Sequence, residues 1–122
     1  MLKMKLPSVL TELENTVLSY LLQEDSEENH TLRQQLSSCL LESREYNGYG
    51  IYTNFKLDDA SRRCLRENFE LGDITVTLSG QLCGFILFVR DGKISFLEGF
   101  PLGGDAWPST ENIEKVSKFY SC

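Results

Sequence analysis

Two apolar runs, Cys83 to Arg90 and Lys93 to Phe100, are separated by the dipeptide Asp91-Gly92. Asp-Gly between such runs favours a two-residue type I′ turn, because both central positions need positive φ, and that turn makes the flanking runs antiparallel neighbours. With a two-residue loop the register follows directly. Val89 faces Ile94, Leu87 faces Phe96, Phe85 faces Glu98 and Cys83 faces Phe100 on one side. On the other side Arg90 meets Lys93, Phe88 meets Ser95, Ile86 meets Leu97 and Gly84 meets Gly99. Alternation thus assigns Phe85, Leu87, Val89, Ile94 and Phe96 to the core face.

In this register Glu98 is out of place, a carboxylate on the core face opposite a phenylalanine. Unpaired, it would cost several kcal/mol. It is expected either as an acid at a pocket rim or as a structural carboxylate tied to backbone N–H groups of the glycine-rich segment after it, the latter being the commoner role of such a group. The second face bears Phe88, Ile86 and Leu97, which need cover. The aromatic, glycine-rich loop from Phe100 through Asp105 to Trp107-Pro108 is expected to fold back over that face, or else a partner or a second copy docks there.

The preceding chain reads as helical and then as sheet. Ser8 is a plausible N-cap for a first helix, with Leu6, Leu10, Leu13, Val17 and Leu21 as its apolar stripe and Glu12, Glu14 and Asn15 on the opposite side. An acidic link from Gln23 to His30 leads into a second, shorter stripe of Leu32, Leu36 and Cys39. From Leu40 the pattern changes. Asn47-Gly48 marks a hairpin, followed by alternation of Tyr49, Ile51, Thr53, Phe55 and Leu57. The strand before it carries Glu42, Arg44 and Glu45, as a protected edge strand does. Asp58 to Asn68 is a polar connection with room for a short helix, whose Arg62, Arg63 and Arg66 have enough acidic neighbours to make surface salt links the default. Ile74, Val76 and Leu78 form a half-buried strand, and the tail reads as a short turn and then a final edge strand.

The expected fold is a single α+β domain over residues 1–122, helical to residue 39 and sheet from residue 40. Two helices pack on one face of a mostly antiparallel sheet of about five strands, in two layers. A net charge of −6 argues against nonspecific nucleic-acid binding, which needs a basic face. The four cysteines, Cys39, Cys64, Cys83 and Cys122, form no C-x-x-C pair, and the single His30 completes no zinc pattern, so free thiols in a reducing cytoplasm are expected, with no metal or cofactor. Lys3 and Lys5 precede no signal-peptide core, since Thr11, Glu12, Glu14 and Asn15 interrupt it, and no run approaches the ~20 apolar residues of a membrane span.

Several motifs recur in order: Gly48 to Phe55 (GYGIYTNF), Phe69 to Asp73 (FELGD), Gly84 to Gly92 (GFILFVRDG), Leu97 to Phe100 (LEGF) and the closing Gly104 to Pro108. In this series the chain resembles a group of small, uncharacterised bacterial α+β proteins, over roughly its last two thirds. The resemblance implies a bacterial α+β protein with Glu98 and Trp107 inside the shared pattern, and no activity. The arginine-rich stretch between Asp58 and Asn68 departs from it.

No nucleophile elbow, phosphate loop or dinucleotide fingerprint is present, and His30 and Cys39 lie ~13 Å apart along a helix axis, too far for proton transfer. No catalytic residue is therefore assigned. The expected function is a non-catalytic interaction module, for example an immunity or antitoxin-like protein that meets a basic partner, with self-association as another use of the same surface. Phe88, Phe100, Trp107, Glu98 and Asp105 are its candidate contacts. The alternative is a small hydrolase or ligand-binding protein using Glu98 with Asp73 or Asp105.

Overall fold

Thr11 starts the first helix, and its reason is local. Its hydroxyl accepts from the Glu14 backbone N–H and the Glu14 carboxylate accepts from its own N–H, a reciprocal capping box. The computed structural model describes residues 10–118, so Ser8 and Leu6 lie outside the described residues. Helix α1 spans Glu12–Leu21, and α2, capped by Ser26, spans Glu27–Ser38. Six strands follow: β1 Leu40–Tyr46, β2 Ile51–Lys56, β3 Phe69–Leu78, β4 Gln81–Arg90, β5 Lys93–Pro101 and β6 Ile113–Lys118. They form one antiparallel sheet of order β1-β2-β5-β4-β3-β6, one strand more than expected, because the tail adds a full edge strand along β3. Both edges carry charge, Arg44 and Glu45 on β1 and Glu114 and Lys115 on β6. No helix is long and apolar enough to cross a membrane.

The helices pack on one face of the sheet, α1 against β3 and β4 and α2 against β5. Val17, Leu18, Leu21, Leu22 and Leu32 meet Ile74, Val76, Leu78, Phe85, Leu87 and Val89 in the core. Each such side chain, fully buried, contributes about 1.5–3 kcal/mol. Asp58 to Asn68 forms turns and bends with no helix. The loop instead wraps the β4–β5 turn: Cys64 N–H donates to the Gly92 carbonyl at 2.9 Å and Gly92 N–H to that of Glu67 at 2.8 Å. From the helix side, buried Gln35 donates to the Arg62 and Gly92 carbonyls and accepts from Ile94 N–H.

The turn itself is as expected. Asp91 and Gly92 have φ of 56° and 74°, and Arg90 pairs with Lys93 and Val89 with Ile94. The register then departs from the predicted one. Ser95 is a β-bulge, so Phe88 pairs with Phe96, Leu87 with Leu97, Ile86 with Glu98, Phe85 with Gly99 and Gly84 with Phe100. One extra residue reverses the faces of everything after it. Leu97 is buried in the core, while Phe96 and Glu98 stand on the opposite face. The expected inward carboxylate and inward Phe96 are corrected by this bulge.

Candidate functional site

The face of the sheet turned away from the helices gains what the bulge moves there. Phe96 of β5 stacks on Phe88 of β4 with ring centroids 4.4 Å apart and planes 16° apart, and Tyr52 of β2 meets Phe96 at 6.2 Å. Phe100 lies across Gly84, where a Cβ would stand 2.7 Å from its ring, so only glycine lets that ring lie flat on the strand. Ile86 completes the patch, and all five side chains are half-buried. At its ends the Arg90 guanidinium lies over the Phe88 ring, 5.2 Å from its centre, while pairing with Glu70 at 3.0 Å.

Glu98 belongs to this face. The Tyr52 hydroxyl donates to its carboxylate at 3.1 Å, and that hydrogen bond, with the charge behind it, holds the phenol above its ordinary pKa. Of the predicted contacts, Phe88, Phe100 and Glu98 are thus together. Trp107 is not with them. The loop from Leu102 to Asn112 folds toward the helix side instead of over the open face, and Trp107 packs edge-on against core residue Phe85 at 5.8 Å, its N–H bound to Glu111 at 3.0 Å. The expected cover over Phe88 and Ile86 is therefore absent among the described residues, because Gly99 leaves a slot on the other side that the tryptophan fills. Asp105 is exposed in the same loop, beside Gln81 and Leu102. Asp73 is with Lys118 at 3.6 Å, so the structure does not assemble Glu98, Asp73 and Asp105 into a set of acids.

The residue that periodicity misplaced is Glu14. It is 2% exposed, inside the helix–sheet interface and not on the solvent side of α1. Arg44 of β1 binds it in a fork at 2.7 and 2.6 Å, and Thr53 of β2 donates to it at 2.6 Å. Burial pushes its pKa up, but the bonds from Arg44, Thr53 and the Thr11 N–H together outweigh that and hold it below 4.5. Thr53 lies on the inward alternation of β2, but Arg44 turns inward only through the irregularity between Leu41 and Ser43, so the sequence carries little signal for the pair. The arginine-rich loop makes surface links, Arg63 with Asp91 and Arg66 with Glu28, each at 2.8 Å. Among the described residues no group of three or more His, Cys, Asp or Glu side chains is placed to hold a metal.

The fold and this site define an α+β protein with two helices on one face of a six-stranded antiparallel sheet and an open aromatic patch on the other. A scan against protein-family models finds none that matches the chain, and neither the curated proteins nor the solved structures provide a match.

Proposed function

We propose that this is a non-catalytic interaction module that binds a basic protein through the open face of its sheet. The observation that supports it is the aromatic row Tyr52, Phe96 and Phe88, flanked by Phe100 and Ile86, lying half-buried where no described element covers it. Aromatic side chains held rigidly by strand neighbours are the usual anchors of an interface. The chain's net charge of −6 favours a basic partner and would speed its association, while the face itself is mixed in charge, with Glu45, Glu70 and Glu98 beside Arg90, Lys93 and Lys56. An immunity or antitoxin-like role in a bacterial cytoplasm is one form of this reading, supported by the acidic balance alone. Hydrolysis through Glu98 has less support, since Tyr52 engages that carboxylate and the other candidate acids lie elsewhere.

A photo-crosslinking amino acid placed at position 96 in the full chain tests the proposal, with position 20 on the helix layer as control. The expected result is an adduct with one basic protein from position 96 only. Binding of that protein, once purified, should weaken by at least about 2 kcal/mol in Phe88→Ser, which leaves the helix-side core untouched. Equal adducts from both positions, or adducts only with a second copy of the chain, would reject it.

A further inference from the structure

On the helix side of the sheet, the β1–β2 turn faces the Trp107 to Glu111 segment across a cleft of about 510 Å³, lined by Tyr46, Gly48, Gly50, Trp107, Ser109 and Glu111. That volume lies within the range of small-ligand sites. The walls are built and not incidental. Asn47 closes the turn by accepting from the backbone N–H groups of Tyr49 and Gly50 at 2.9 and 2.7 Å. Gly50 runs so close to β5 that a Cβ there would stand 2.6 Å from the Gly99 carbonyl oxygen. On the opposite wall Trp107 is fixed between Phe85 and Gly99, and its N–H points to Glu111. Tyr46, 59% exposed, stands free at the mouth.

Among the described residues Glu111 is the only charged one in the lining, and it takes part in no ion pair with another of them. Arg44 is near enough to feel its charge, but the Arg44 guanidinium is held in the fork with Glu14. Burial, and after it the Glu111 charge, also raises the pKa of the Tyr46 phenol. An anion would be repelled here, and a neutral apolar group would bury the carboxylate without a counter-charge. A cation with apolar substituents suits both the aromatic walls and the carboxylate.

We propose that this cleft binds an organic cation, an alkylammonium or guanidinium group, held against Tyr46 and Trp107 with Glu111 as its counter-charge. The group is supplied either by a free small amine or by a lysine or arginine side chain of a peptide. The site is separate from the open sheet face and does not depend on the interaction reading.

The chain's single tryptophan lies in the cleft, so its fluorescence reports occupancy directly. The full chain is titrated with tetramethylammonium, with N-acetyl-arginine amide, with its uncharged isostere N-acetyl-citrulline amide, and with a neutral-flanked peptide bearing one arginine. The expected result is a saturable change with the cations and at least about tenfold weaker binding of the citrulline compound. Glu111→Gln keeps an acceptor for the indole N–H while removing the charge, and it should weaken cation binding about tenfold or more. Tyr46→Ala, at an exposed position, should weaken it several-fold. Tighter binding of the peptide than of the amino-acid amide assigns the site to a protein side chain, and tighter binding of tetramethylammonium assigns it to a free amine. Equal response to arginine and citrulline compounds, or no saturable response to any probe, overturns the proposal. So does unchanged affinity in folded Glu111→Gln. If that variant does not fold, unchanged affinity in Tyr46→Ala overturns it.

Discussion

Glu14 is an ionised acid inside an apolar helix face, and its partners decide what it does there. Thr11 N–H, both donors of the Arg44 fork and the Thr53 hydroxyl satisfy it, so the charge joins α1 to β1 and β2 at one point. Glu14→Ala should cost about 3 kcal/mol in chemical denaturation, toward the low end for breaking a buried pair because the Arg44 side chain keeps 22% exposure. The same bond set makes stability depend on pH. With the folded pKa of Glu14 held below 4.5, its contribution is complete above that value. As pH falls from 4.5 through the folded pKa the unfolded chain takes up the proton first, and the contribution is lost. Urea melts of wild type from pH 7 to pH 3 should show that decline, and Glu14→Ala should show a shallower one. Equal slopes would mean that the pair does not couple stability to pH.

At the scale of elements, the bulge at Ser95 decides which side chains meet solvent. Deleting Ser95 would leave the two-residue turn intact and turn the bulge into regular pairing, with Phe88 still opposite Phe96, Leu97 inward and Glu98 outward. That variant should keep the cooperative thermal transition followed by circular dichroism, because Leu97 still packs inward beside Leu87 and no carboxylate enters the core. Loss of the cooperative transition would show that the bulge itself, and not the register alone, is needed to close the sheet. The same residue explains what could be read from the chain. Asp91-Gly92 places the turn and its first two pairs because both central residues must adopt positive φ. The edge character of β1 is legible from its charges, and the inward set Ile51, Thr53 and Phe55 from alternation. Ser95 carries no comparable mark, since a bulge is a property of the pairing and not of one residue type. Alternation therefore finds Glu98 but puts it on the wrong face, and it misses Phe96 as a half-buried aromatic of the open face. Glu14 escaped because its partner lies in a different element, and Trp107 because the slot at Gly99 exists only once β5 is laid beside β2 and β4.

Across the whole molecule, the cysteines report on how completely the layers are closed. Cys39, Cys64 and Cys83 are buried as free thiols. Burial raises all three pKa values, to about 12 for Cys39 and about 11 for Cys83. A thiolate is the reactive species, so at pH 8 iodoacetamide should label none of the three in the native state and all of them in denaturant. Labelling of Cys64 alone under native conditions would show that the loop around the β4–β5 turn opens independently of the core. The order of the strands has a consequence in time as well. Strands β3, β4 and β5 follow one another through two-residue turns, and β1 and β2 form a hairpin of their own, so each block can pair locally as soon as it exists. The joint between β2 and β5 must wait until the long loop and two further strands have been traversed, whereas α1 finds its packing surface in the β3–β4 pair. Because it joins two blocks that each pair locally, that joint is expected to close after both hairpins, late in the chain's approach to its native form.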